Sequence, residues 1–538
     1  MLRPTFLGYQ TATSALKAHQ SYMDVTGQNM ANVNTPGYTR QRLDTSSFGF
    51  TARNLKYSLG GVVVGQGVKS LGVSQYRDAF LDLRYRTASA KTGDQQTQLE
   101  ALGDLELFWD EIAKDGLDSQ FSDLWKQLQS LASNGSTDPV YQSVVRTSAQ
   151  VLTQMLNEYA KQMETVRDQQ YEYMENGANV RVNQLLKNIS ILNQQIRDAN
   201  IGGNPALELN DERNMLIDEL SSYLDIEVDI EKIGIGSGHT VDELSINLKL
   251  SDGTKVKIVD NNEFAEFKTS KNSLNPSDPD PSDPSGSFDV KFVLTDLAGN
   301  TTDISNLIDK GQIGGYIKFL NGKGEYDTDP AVTNSDARGV QYYQNLLDTL
   351  ANKFATIMND LNREATAYDS EGVATAFGGP KPLFDSRDSG PITAKTIKIS
   401  DDWANATGAY ITHTIREPIA NNDDKAASDN IQRIIDAFNS KNDFNTSGGV
   451  PIFKGTFQEF VSFSITKLNL QISEIEKTHE SYLISQSQID FERSSLSSVD
   501  FNEEGVNLLQ YSKSYNAAAR LMTTLDEMLD TLINRMGV

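Results

Sequence analysis

Apolar positions recur along much of this chain at alternating steps of three and four, and only its centre changes to a step of two. Near the N-terminus Leu2, Phe6, Tyr9, Thr13, Leu16, Gln20, Met23, Gly27 and Met30 form a heptad seam with three weak members, which predicts a helix. The segment from Ala31 to Tyr38 ends it, because Pro36 disfavours helix at Thr35 and Gly37 can take the positive φ of a turn. At the other end Leu508, Tyr511, Tyr515, Ala518, Met522, Leu525, Leu529, Leu532 and Met536 repeat the pattern with every position apolar, as a coiled-coil helix would. Leu509, Leu521 and Met528 widen this stripe, so the helix is expected to touch more than one neighbour. Asp500 or Asn502 is placed to cap its start, with Glu503 and Glu504 suiting the positive end of the helix dipole.

From about Val140 to Asn200 the sequence permits helix almost throughout, enough for roughly 90 Å at 1.5 Å per residue, with an interruption expected near Gly177. In its second half Val182, Leu185, Ile189, Leu192, Ile196 and Ala199 keep a heptad. A similar stripe runs from Val461 through Ile465, Leu468, Ile472 and Ile475 to Ile489, and the simplest expectation pairs the two. A shorter helix over Tyr342 to Leu361 joins this bundle. Ile226, Val228 and Ile230, then Leu244, Ile246, Leu248 and Leu250, alternate with polar residues, and Asp252-Gly253 turns the chain toward Val256 and Ile258, so hairpins are predicted. Phe288, Val290, Phe292 and Leu294 form another strand. The proline-rich tract 277–286 reads as an exposed loop.

The expected fold class is therefore multidomain and mainly α, elongated, with terminal coiled-coil helices, a long-helix bundle and central β-rich insertions. Its divisions are 1–40 with 500–538 as a terminal coiled-coil domain, and 41–225, 311–365 and 457–499 as the bundle. A β-rich insertion at 226–310 and a second, partly β insertion at 366–456 complete it. A few dozen residues at each end have no third local element on which to build a core. Their stripes are therefore expected to be ordered by assembly with other copies, not within the chain.

Composition narrows the chemistry. The 538 residues hold 48 Lys and Arg against 73 Asp and Glu, a formal charge of −25, which speaks against a nucleic-acid partner. There is no cysteine, which excludes disulfides, thiolate metal sites and a cysteine nucleophile. The four histidines, His19, His239, His413 and His479, are scattered. No run of about 20 apolar residues offers a membrane span, and the first ten residues lack the apolar core of a cleaved signal peptide. Acidic pairs such as Asp211-Glu212, Asp401-Asp402 and Asp423-Asp424 arise by chance in so acidic a chain. The glycine-rich runs at 60–67 and 234–239 read as tight β turns, since neither continues as a phosphate-binding GK[ST] loop. No catalytic residue, cofactor or metal is expected.

Two long motifs carry a resemblance. Thr26-Gly-Gln-Asn-Met-Ala-Asn-Val-Asn-Thr-Pro-Gly-Tyr-Thr-Arg-Gln is similar to the N-terminal signature of bacterial flagellar axial proteins, the group of rod, hook and hook-associated subunits, on Asn29, Asn32, Asn34, Thr35, Pro36, Gly37 and Tyr38. The stretch from Ser498 through Phe501-Asn-Glu-Glu and Leu508-Leu-Gln-Tyr to Asn534 is similar to the matching C-terminal one. Within the group, Leu209-Asn-Asp-Glu-Arg-Asn-Met-Leu-Ile-Asp-Glu-Leu-Ser resembles a helix of the hook-associated junction subunits, with Gly311-Gln-Ile-Gly-Gly in support. The resemblance implies a non-enzymatic subunit exported by the flagellar type III apparatus and assembled as a short helical ring in the extracellular flagellum. Hook subunits would lie on one side and a further hook-associated protein on the other. The assembly interface would be Leu2, Phe6, Tyr9, Leu16, Met23, Met30, Leu508, Tyr511, Tyr515, Met522, Leu525, Leu529, Leu532 and Met536, with an export chaperone shielding the C-terminal helix beforehand. The alternatives are a hook subunit or flagellin, which lack the long paired helices or the Asn-Thr-Pro-Gly-Tyr run respectively, or a cell-wall hydrolase on a flagellar scaffold.

Overall fold

A computed structural model describes residues 5–47, 67–236, 239–271, 289–327, 336–388, 390–417, 427–446 and 448–531. Helix α1 (Thr5–Ala31) is followed by the antiparallel strands β1 (Gln41–Ser47) and β2 (Val68–Gln75), paired from Gln41 opposite Gln75 to Ser47 opposite Val68. Four helices follow, α2 (Ala79–Asp115), α3 (Leu117–Asn134), α4 (Pro139–Glu172) and α5 (Val180–Ile201). Asp78 and Asp138 cap α2 and α4 by accepting the Phe80 and Val140 amides, and Pro139 opens α4 where its missing N–H costs nothing. The interruption expected near Gly177 is a seven-residue π-helical turn, Tyr173–Asn179, through which α4 runs into α5 without a break.

Helix α6 (Leu207–Tyr223) leads into a four-stranded antiparallel sheet, β3 (Ile226–Gly236), β4 (His239–Lys249), β5 (Lys255–Asp260) and β6 (Glu263–Phe264). A three-stranded one follows, β7 (Glu266–Lys271), β8 (Val290–Thr295) and β9 (Thr301–Asp303). Both sheets lean on α5 and the three-stranded one also on the π turn; the Asn183 side chain of α5 accepts from the Phe267 amide at 2.9 Å and donates to its carbonyl at 2.8 Å. The tract 277–286 and most of the glycine run at 60–67 lie outside the described residues.

Helices α7 (Gly311–Asn321) and α8 (Val340–Leu361) then return to the bundle. Gly311 adopts φ +83°, and a Cβ there would stand 2.2 Å from the Tyr223 carbonyl oxygen, so the Gly-Gln-Ile-Gly-Gly run is a place where α7 presses its backbone on the end of α6. The second insertion holds the hairpins β10 (Ala365–Tyr368) with β11 (Ala374–Phe377) and β12 (Phe384–Ser386) with β13 (Ile397–Ile399). It continues with the short α9 (Asp401–Ala404), α10 (Asp429–Asn439) and the hairpin β14 (Asn442–Asn445) with β15 (Pro451–Gly455). It seats Phe384, Phe438 and Phe444 around Phe121 of α3, Phe354 of α8 and Phe457. Phe457 opens α11 (Phe457–Ser497), a helix of about 60 Å started by a Thr456–Glu459 capping box, and α12 (Phe501–Asp530) ends the described chain. Of the two candidates, Asp500 is the cap of α12; its carboxylate accepts the Asn502 and Glu503 amides at 2.8 and 3.2 Å.

Three expectations are corrected. Helix α11 packs along α2, not along the Val182–Ala199 stripe, which instead faces α6 and the sheets. Helix α2 meets α11 through polar and aromatic side chains, with Arg493 over the Tyr85 ring at 4.0 Å and Lys91 over that of Tyr482 at 5.5 Å, while Asp94 and Thr97 take Lys318 and Gly315 of α7 on another side. The β1–β2 hairpin, assigned to the bundle from sequence, lies on α1, where Ser14 Oγ accepts the Val68 amide at 3.3 Å. Thirdly, the terminal seams are not bare within the chain, because α1 and α12 pack against each other.

The second insertion is fixed by a loop between α4 and α8. Asn157 donates to the Ala394 and Ile397 carbonyls at 2.8 and 3.0 Å, and the Asp348 carboxylate accepts the Ala394 amide at 2.7 Å. Burial pushes the Asp348 carboxyl up to about 6, with Glu164 adding to the rise and Lys395 opposing it. Because the folded value lies above the ordinary one of 3.8, the fold is favoured below that value and loses stability as pH rises between the two. Asp348→Asn, which keeps an acceptor for Ala394, is expected to remove about 1–2 kcal/mol of the stability difference between pH 4 and pH 7, measured by urea unfolding at both values.

Candidate assembly interface

The two chain ends run antiparallel. Gly8 lies against Leu525, Thr13 Oγ1 approaches Met522 Sδ at 4.0 Å, and the Tyr22 and Tyr511 rings stack at 4.7 Å. Leu16, Met23, Met30, Leu508, Tyr511, Tyr515, Met522, Leu525 and Leu529 are half-buried, while Tyr9 is exposed. Leu2, Leu532, Met536 and the side chain of Phe6 lie outside what the structure describes. Thus the seam read from the sequence is the face by which the two ends recognise each other.

Among the described residues the opposite face of α12 has no such cover. Val506, Leu509, Leu521 and Met528 fall within about 60° of one line along the helix at 100° per residue, and they are 63, 63, 49 and 56% exposed. The chain therefore carries a helix that is apolar on two sides, one filled by α1 and one open. Large apolar side chains aligned in this way mark an interaction surface.

The signature loop does a different job. Asn29, buried in the last turn of α1, donates Nδ2 to the Gln41 carbonyl at 2.9 Å, and its Oδ1 accepts the Gln41 amide and the Tyr38 hydroxyl, each at 3.0 Å. It thus pairs with one residue of β1 as a neighbouring strand would. Thr35 donates to Asn32 Oδ1 at 3.2 Å, and Gly37 takes φ +75° with Met215 of α6 packed on it, where a Cβ would lie 2.2 Å from Sδ. Asn34 and Pro36 are exposed at the turn. Asn29→Ala would leave a buried strand end and the Tyr38 hydroxyl without partners, so a loss of about 2–3 kcal/mol is expected in thermal unfolding of the full chain.

Past this loop the terminal unit is fastened to the bundle by polar contacts. The Thr39 amide donates to Asp211 Oδ2 at 3.0 Å, Gln41 to Glu208 at 3.1 Å and Gln75 to the Leu207 carbonyl at 3.1 Å. The Arg40 amide donates to the Ser497 carbonyl at the end of α11 at 2.8 Å, while within the terminal unit its guanidinium pairs with Glu503 and the buried Glu504, both at 2.7 Å; its desolvation is outweighed by these carboxylates, which hold its pKa above the usual value. The helix containing Asn-Asp-Glu-Arg is therefore the docking post for the N-terminal motif, a relation between residues 172 apart that no local signal reveals. Arg213 of the same helix turns away to Asn193 and Asn210, and burial lowers its pKa to about 10. Among the described residues no group of three or more His, Asp or Glu side chains is placed to hold a metal ion, and no helix is long and apolar enough to cross a membrane.

A family model of the flagellar hook-associated protein FlgK helical domain matches residues 102–377, slightly more than half the chain. The chain belongs to the FlgK family of flagellar hook-associated proteins. As a member it is a structural junction component of the bacterial flagellum. Models of the flagellar basal body rod protein and of the FlgEFG C-terminal region match residues 10–39 and 493–536, the paired ends described above. Flagellar hook-associated protein 1 of Bacillus subtilis is 28% identical, covering 99% of both chains, and that of Escherichia coli 24% identical, covering 97% of this chain and 98% of the relative. The solved hook junction protein FlgK from Burkholderia pseudomallei, at 13% identity, shares the fold with a TM-score of 0.54 over 77% of this chain and all of that one.

Proposed function

We propose that this chain self-assembles through its terminal helix pair into the short ring that joins hook to filament. Hook subunits stand on one side and a further hook-associated protein on the other, and the ring performs no chemistry. The observation that carries the reading is the second apolar face of α12, which stays open after α1 has filled the first. The seam residues build the pair, and Val506, Leu509, Leu521 and Met528 make the contact between copies. Export through the flagellar type III apparatus requires the two ends to part for threading, and the modest burial along their seam suits this. The open face of α12 is then the natural place for an export chaperone before assembly.

Deleting residues 1–30 or 508–538 should leave a folded core that no longer assembles. Far-UV circular dichroism of each truncated protein should fall only by the removed helix, and electron microscopy of labelled flagella should lose the band between hook and filament. A collapse of core helicity would show that the ends belong to the fold of the bundle instead.

A further inference from the structure

The π turn between α4 and α5, the last residue of α6 and the first turns of α7 bound a solvent-open hollow of about 570 Å³. Such turns give up good hydrogen-bond geometry and recur where a site needs the altered register. Gly311 brings the walls together. Its positive φ lets α7 start against the Tyr223 carbonyl, and Gln312 and Tyr316, four residues apart, then stand on one face beside Tyr223. Tyr173 closes the other side; it is half-exposed, yet its hydroxyl accepts from Gln169 Nε2 at 2.7 Å, which holds the ring in place. Glu172, Asn176 and Gln312 complete the lining and have no hydrogen-bond or ion-pair partner among the described residues.

Three tyrosines and an unpaired carboxylate favour one sign of charge. Burial pushes the Tyr316 phenol up to about 12, and Glu100 of α2 with the other two tyrosines adds to the rise. Burial raises Tyr223 as well, with Glu219 adding to it and Arg181, the partner of Glu219 at 2.6 Å, opposing. An anion would be repelled here, whereas a cation gains from the carboxylate and from the electron-rich ring faces. The chain makes this contact elsewhere, with Lys271 at 5.0 Å from the Tyr171 ring centre and Arg493 at 4.0 Å from that of Tyr85. Among the described residues no Lys or Arg covers Tyr173, Tyr223 or Tyr316 in this way. We propose that the hollow binds a compact organic cation, a quaternary ammonium or a guanidinium, with its charge over the tyrosine faces. A guanidinium would donate to the side-chain oxygens of Glu172, Asn176 and Gln312; a quaternary ammonium has no N–H and would be held by the rings and the carboxylate charge. The site lies on the bundle, apart from the open face of α12, so the lone chain suffices to test it.

A chain without cysteine lets a single thiol report on the hollow. A Cβ on Gly177 would meet nothing within 4 Å, so Gly177→Cys adds a thiol to the lining without displacing a neighbour. Its reaction in the full chain is timed with two methanethiosulfonates of similar size, one carrying trimethylammonium and one sulfonate, and compared with that of Ser487→Cys on an exposed side of α11. The cationic-to-anionic rate ratio should be about tenfold higher at the hollow. Tyr173→Leu, which alters a half-exposed side chain, and Tyr316→Leu should each return the ratio most of the way to the Ser487→Cys value, with circular dichroism unchanged. At fixed ionic strength, replacing sodium by tetramethylammonium or argininamide should slow the labelling of Gly177→Cys severalfold, and adding methyl glucoside should not. Equal ratios at the two sites would overturn the proposal. So would a ratio that survives both tyrosine changes and vanishes in Glu172→Gln, the mark of a bare carboxylate, or protection by the glucoside alone, the mark of a neutral sugar site.

Discussion

Leu509→Asp combined with Leu521→Asp is expected to abolish ring formation while leaving the isolated chain folded. Both side chains point away from α1, so the seam of Gly8, Thr13 and Tyr22 with Leu525, Met522 and Tyr511 is untouched. Burying two such side chains against a neighbour is worth about 3 kcal/mol per contact, and replacing them with carboxylates adds an unpaired charge at each site. Every copy in a ring repeats that cost on each neighbour, so incorporation should fall by more than a hundredfold. Circular dichroism and thermal unfolding of the purified variant should match the parent, and cells should lose the hook–filament band and swimming. Equivalent changes at exposed apolar positions outside α12, such as Ile201 at the end of α5, should have no such effect.

Phe457→Ala is the change expected to cost most within the chain itself. The ring is fully buried and lies 5.8 Å from Phe121, 5.5 Å from Phe354, and 6.0 Å from both Phe438 and Phe444. It thus touches α3, α8, α10 and β14, and its removal empties the centre of the cluster by which the second insertion is attached. A loss of about 3–5 kcal/mol is expected. The damage should be local first, so limited proteolysis should cut within 366–456 well before the α2–α11 rod gives way. A chain cleaved uniformly, or one as resistant as the parent, would show that the insertion is held by its polar loop contacts instead.

The helices and hairpins were legible because burial in them follows a period. Leu508 to Leu529 has one half-buried line, and Leu244, Ile246 and Leu248 have one buried side. What escaped was any contact made by small or polar residues. Helix α2 meets α11 through Tyr85 with Arg493 and Lys91 with Tyr482, so their partnership leaves no clean apolar stripe, and the stripe at Val182–Ala199 draws the expected pairing in its place. The terminal seams were read correctly as seams, but periodicity does not say whether the matching line lies in the same chain or another. Here α1 supplied it. The second line, Leu509, Leu521 and Met528, appeared only as extra width in the sequence, and its separation onto the far side of α12 needed the packing of α1 to become visible. The joint was the least readable element. Thr39 to Asp211, Gln75 to Leu207 and Arg40 to Ser497 each link residues far apart with a single hydrogen bond, and a lone polar contact carries no periodic signal. The motif residues near Asn29 stand out in the sequence by resemblance alone, and the geometry shows Asn29 clamping a strand and Gly37 making a turn.

The most direct test is hydroxyl-radical footprinting of the full chain, alone and within intact flagella, with oxidation followed at Leu509, Leu521 and Met528 on one side of α12 and at Tyr511, Met522 and Leu525 on the other. The account predicts that the first group is labelled readily in the lone chain and protected severalfold in flagella, while the second is weakly labelled in both. Equal labelling of Leu509, Leu521 and Met528 in the two states would contradict it.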